Sequence, residues 1–141
     1  MRKILLISSV VFGLISCSTT QNKHEQEFQL HGSWKVSKIG ADSVPSKLMM
    51  TLNIDTAMSV NGKAACNSFF GKVVQKNDSL FFGAMGSTRM LCQPLLNQWE
   101  MKYLTGLSMP LKLVNSGNNR FTLSNDNTSL SLEKNIPTVA K

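Results

Sequence analysis

Between Gly32 and Lys134 short runs of alternating apolar and polar residues recur about every ten positions, and most of these runs end in Asp, Asn or Gly. A period of two places successive side chains on opposite faces of a strand, and closely spaced turn signals leave no room for the crossover helices of a parallel sheet. Trp34 and Val36 open the series. Met50, Leu52 and Ile54 follow, then Met58 and Val60, residues 66–74, and Leu80 with Phe82. After Pro110 the pattern resumes with Leu111 and Leu113, Phe121 and Leu123, and Leu130 and Leu132. One stretch breaks it: between Gln93 and Leu107 the residues Leu96, Trp99, Tyr103 and Leu107 recur at three- and four-residue steps behind Pro94, which suits a first helical turn. The expected fold is mainly β, about eight short antiparallel strands closed or folded on themselves with one helix late in the chain.

The first residues read as a processed leader. Arg2 and Lys3 precede an apolar run from Ile4 to Ile15 that ends in polar residues, too short for the roughly 20 residues of a spanning helix. Leu14-Ile15-Ser16-Cys17 resembles the bacterial lipobox, which implies a signal peptide over 1–16 and acylation of Cys17, carried as diacylglyceryl and palmitate-like chains. Ordinary cleavage beside an incidental cysteine is the alternative, and it leaves a free thiol. Residues 17–29 form a polar tether, 30–134 the folded domain and 135–141 a flexible tail. No acidic cluster follows Cys17, which favours the periplasmic side of an outer membrane over the cell surface.

The formal charge of +7 includes Arg2 and Lys3, so a mature domain would be only mildly basic. No basic stripe is interleaved with aromatics, and nucleic acid is not an expected partner. Once Cys17 is set aside, Cys66 and Cys92 remain, and a bridge between them is chemically permitted in an exported protein. No metal site is expected: His24 and His31 lie in or beside the tether, and no ligand spacing of the C-x₂-C or H-x₃-H kind occurs. No cofactor motif appears either. A catalytic triad lacks its base, and Ser131 and Lys134 fall on opposite faces of a strand. The acidic residues Asp42, Asp55, Asp78, Glu100, Asp126 and Glu133 lie mostly in turns, and the scattered methionines suit gap filling better than copper. Enzymatic activity is not expected.

Two segments are too particular for generic sheet: residues 61–71, which contain Gly62, Cys66, Asn67 and Gly71, and residues 86–92, which contain Thr88, Met90 and Cys92. With Gly32-Ser33-Trp34 and the helix carrying Glu100, they resemble the META domain of HslJ-like bacterial lipoproteins. Ala65 stands where that family has Gly before the cysteine, and Leu91 where it has Ala. The resemblance implies a lipocalin-like antiparallel roll or barrel over about 30–134, a link to envelope stress and no catalytic site. The motif residues read first as structural, with residues 86–90 as a candidate binding lip and Arg89 as its exposed cation.

The expected function is a non-enzymatic, lipid-anchored binding or structural module of the bacterial envelope, with another envelope or secreted protein as partner. The alternative is a peptidase inhibitor presenting Pro45, Ser46, Lys47 and Leu48 to a protease cleft. A third class, a carrier of an apolar molecule, is opposed by Trp34, Phe69, Phe70, Phe82 and Phe121, bulky enough to fill a small barrel.

Overall fold

Buried and outward positions alternate along most of the longer strands, with a phase shift in the first at a bulge between Val36 and Lys38, and the inward set lines one core. In the computed structural model, which describes residues 30–135, the strands are β1 (Gly32–Ile39), β2 (Asp42–Ser43), β3 (Thr51–Ile54), β4 (Ser59–Ala64), β5 (Asn67–Lys76), β6 (Ser79–Phe82), β7 (Gly86–Ser87), β8 (Leu111–Gly117), β9 (Arg120–Ser124) and β10 (Ser129–Lys134). The helix α1 (Pro94–Leu107) lies between β7 and β8. All pairings are antiparallel, and β1 meets both β3 and β10, so β1, β3, β4, β5, β6, β8, β9 and β10 form a closed eight-strand barrel. The two-residue β2 and β7 are appendages to β1 and β5. Cys17, the leader, the tether and the tail beyond Asn135 lie outside the described residues. Asn135 itself donates its backbone N–H to the Ser33 carbonyl at 2.9 Å.

The barrel is filled. Trp34, Val36, Leu52, Ile54, Val60, Phe69, Val73, Leu80, Leu123 and Leu132 are among the buried residues of one continuous cluster. Phe70 is the exception to the sequence reading. It is 62% exposed, because Asn67, Phe69 and Val73 occupy the interior phase of β5 and the period of two sends Phe70 outward. Two adjacent phenylalanines on a strand cannot both enter the core.

The two ends of the barrel are closed differently. At the end where the chain enters, the Trp34 indole donates to the Leu30 carbonyl at 2.8 Å and its ring meets Phe121 edge-on at 5.1 Å. The Lys134 ammonium sits 4.3 Å from the centre of the Trp34 ring and donates to the His31 carbonyl. Gly32, at φ +114°, leaves room for that ammonium; a Cβ there would overlap it.

At the opposite end α1 lies across the mouth. Gln93 gives its N-cap no side-chain hydrogen bond, and Pro94 supplies the fixed φ of the first turn. Tyr103, Gly106 and Leu107 are buried, while Leu96 and Trp99 are only half-buried, so the inward stripe is narrower than the sequence spacing implies. The Tyr103 hydroxyl donates to the Thr51 carbonyl at 3.2 Å and its ring packs edge-on against Phe69 at 5.6 Å. Burial pushes the Tyr103 phenol well above its ordinary pKa. An ion pair between Lys102 and Asp42 ties the helix to the β1–β3 connection.

Candidate functional site

The β4–β5 hairpin turns on two residues, Ala65 and Cys66, since Ala64 pairs with Asn67. Only Ala65 has positive φ, at 62°, the first central position at which hairpin turns of this kind favour glycine. The turn delivers Cys66 to Cys92, to which it is disulfide-bonded with Cα atoms 6.3 Å apart. The next residue, Asn67, is the one buried polar residue among the described residues, at 4% exposure.

A buried amide needs its hydrogen-bonding capacity met, and Asn67 draws its partners from two other segments, residues 86–92 and α1. Its Oδ1 accepts from the Thr88 hydroxyl and from the Met90 backbone N–H, each at 2.8 Å. Its Nδ2 donates to Glu100 Oε1 at 3.0 Å, and its own backbone N–H donates to Glu100 Oε2 at 2.9 Å. Thr88 also bonds twice to Ser68, through its Oγ1 and its backbone N–H. Residues 86–92 are thereby clasped by β7 pairing, by Asn67 and by the bridge, and joined to α1 through Glu100.

The motif glycines serve the same region. A Cβ at Gly62 would fall 2.0 Å from the Thr51 carbonyl oxygen and against the Phe69 ring, its cross-strand partner. At Gly71 a Cβ would press on the Met85 side chain at 3.0 Å, where the chain between β6 and β7 folds back over β5. Gly86, which opens the second motif segment, is covered by the exposed Phe70 ring. This is the use found for a phenylalanine that does not enter the core.

What the clasp presents is apolar and rigidly held. Met90 is 53% exposed and Leu91 fully so, flanked by exposed Arg89 and, on the helix, by Leu95. Beside the lip runs an open groove of about 450 Å³ lined by Phe69, Phe82, Met85, Ser87, Leu104 and Ser108. The candidate loop at Pro45–Leu48 lies at the same end of the barrel, since it joins the end of β1 and β2 to the start of β3. Pro45 and Leu48 are half-buried, and Leu48 packs on the core; only Ser46 and Lys47 face outward. Among the described residues no three His, Cys, Asp or Glu side chains converge as metal ligands would.

Sequence reasoning left Glu100 without a role. A signal was present: Glu100 lies four residues after Leu96 and three before Tyr103, a carboxylate in phase with the inward stripe of an amphipathic helix. A charge at that spacing needs a buried partner, and Asn67 is that partner.

A solution structure of a protein from Burkholderia xenovorans shares 28% sequence identity with this chain, covering 72% of it and 80% of that protein, with a TM-score of 0.62. A second solution structure, 22% identical, covers 73% of this chain and 88% of its own with a TM-score of 0.60, a likeness of fold alone. No curated protein matches the chain. The META domain model matches residues 26–135, the whole of the barrel, α1 and the clasped lip. The chain belongs to the META domain family.

Proposed function

We propose that the protein is a non-catalytic binding module of the bacterial envelope, anchored by lipid on Cys17 at the periplasmic side of the outer membrane, which captures a partner protein with the lip over residues 86–92. The observation that carries this reading is the full exposure of Leu91 immediately beside a backbone held by Asn67 and by the bridge at Cys92. An exposed apolar side chain on a pre-ordered loop loses little conformational freedom on binding, which is how small interfaces gain affinity. A photo-crosslinking residue at position 91, introduced in intact cells, should give a discrete protein adduct, and the same residue at Thr122 on β9 should not. Arg89→Ala should weaken the adduct while leaving stability within about 0.5 kcal/mol. Equal labelling from both positions would refute the lip.

The same observation favours a second reading, peptidase inhibition, at a different loop from Pro45–Leu48. Arg89-Met90-Leu91 is an exposed segment outside any helix or strand, constrained on both sides as a substrate-like inhibitor requires. Inhibition of a peptidase selective for aliphatic residues, abolished by Leu91→Asp, would establish it. Rapid cleavage after Leu91 without inhibition would dismiss it.

A further inference from the structure

The outer surface of the barrel has two unlike walls. On β5 the outward residues run Ser68, Phe70, Lys72, Val74 and Lys76, alternating apolar and basic. Phe81 on β6 lies opposite Val74, and Val114 and Lys112 face outward on β8. Lys63 faces outward on β4. Phe70, Val74, Phe81 and Val114 are 62%, 52%, 37% and 42% exposed. The facing wall of β1, β10 and β9 carries no exposed large apolar residue among the described residues; Lys35, Ser131, Thr122 and Ser124 are typical of it.

We propose that the β4–β5–β6–β8 wall rests on an anionic phospholipid surface. The exposed rings and valines enter the headgroup boundary, and the lysine stems lie along them with their ammonium groups at the phosphates. Acidic residues near this wall are few: Asp78, which pairs with Lys112 at 3.2 Å, and Asp55, at the turn beside Lys72. Charge decides between occupants. A second copy placed face to face would oppose Lys63, Lys72, Lys76 and Lys112 to their own equivalents, whereas anionic lipid neutralises them. The chain outside the structure permits the contact: Cys17 and Leu30 are 13 positions apart, a reach of up to about 45 Å when extended. The proposal rests on the envelope reading only for the presence of a membrane; the lip is at one end of the barrel and the wall on its side.

The test uses residues 18–141, whose core is formed by residues 30–132, so that no acyl chain contributes. Sedimentation with vesicles of phosphatidylethanolamine and phosphatidylglycerol should give a partition about tenfold above that with phosphatidylcholine, and added salt should reduce it. Lys76→Gln should lower partition roughly fivefold, and Val74→Ser with Phe81→Ser should reduce it to background with the melting temperature preserved. Lys35→Gln on the facing wall should change nothing. Equal partition into both vesicle types, no partition, or equal loss from Lys35→Gln and Lys76→Gln would overturn the proposal. So would a dimer in solution dissolved by the Val74 and Phe81 substitutions. Leu91→Asp should leave vesicle binding intact, which separates failure of the wall from failure of the lip.

Discussion

At its entry end the barrel is latched by neighbours: β1 and β10 lie side by side, and Trp34, Lys134 and Gly32 meet because their strands pair. At the helix end the closure is imported. Asn67, Thr88, Met90, Cys92 and Glu100 come from three separate places in the chain and meet around one amide. The first arrangement follows from strand order and stabilises the barrel. The second requires particular residues at particular positions, and it leaves a loop both ordered and exposed. A fold needs only the first kind; the second is what a binding surface requires.

The largest effects test whether both ends share one core. Trp34→Ala at the entry end and Phe69→Ala beneath the helix should each destabilise by about 3–5 kcal/mol through cavity formation. Phe70→Ala should cost about 1 kcal/mol or less, since the ring only covers Gly86. Urea unfolding of the three variants checks the register of β5. Comparable losses at Phe69 and Phe70 would contradict the outward placement of Phe70.

Next in size are changes confined to the clasp. Reducing the bridge, which links positions 26 apart, should lower stability by about 3–4 kcal/mol in the chain-entropy description. Asn67→Ala leaves the Met90 N–H and the Thr88 hydroxyl without their acceptor, at a cost of about 2–3 kcal/mol. The comparison is sharpened by hydrogen exchange: in Asn67→Ala the Met90 amide should lose protection while the amides shared by β1 and β10 keep theirs. Uniform loss along the barrel would make Asn67 an ordinary core residue.

A smaller effect concerns the seam between helix and barrel. The Tyr103 phenol is raised by burial, so above the unfolded value near pH 10 the unfolded chain releases a proton that the folded chain retains. Tyr103 therefore contributes stability in full below about pH 10, and that contribution falls by about 1.4 kcal/mol per pH unit above it. The chain has a single tyrosine, so phenolate absorbance reports this residue alone. No phenolate should form at pH 10–11 while the protein is folded; titration near the ordinary value would show that the helix does not seal the mouth.

These effects also mark what can be read from sequence. Eight strands and the helix were legible because burial imposes a period, and that period is written in Leu80 and Phe82 or Leu130 and Leu132 as plainly as in the structure. The phase of a strand is harder. At Phe69-Phe70 both residues are apolar, and only the inward place of Asn67, fixed by Glu100, selects which ring is buried. The motif residues could be named without their purpose being visible, since Asn67 and Glu100 are 33 positions apart and no local pattern links them. The mild apolar and basic alternation on β5 carries no signal by itself, because each residue alone is ordinary for a strand. It becomes meaningful only when β6 and β8 are set beside it.

The smallest effect reaches into the turn that aims the clasp. Ala65 holds a left-handed backbone at φ 62°, and an L-residue there costs about 1–2 kcal/mol. Glycine removes that strain but loses about 0.5–1 kcal/mol through the greater freedom of the unfolded chain, and it deletes a methyl group packed against the core. Ala65→Gly should therefore stabilise the protein by about 0.5 kcal/mol, measurable as a shift of the urea midpoint at constant slope. Because the turn sets the direction of Cys66 and Asn67, the gain should come with greater protection of the Met90 amide and none at β1 and β10. A loss of stability would mean that the Ala65 methyl contributes more by packing than its backbone costs, and that this chain has adapted its clasp to alanine.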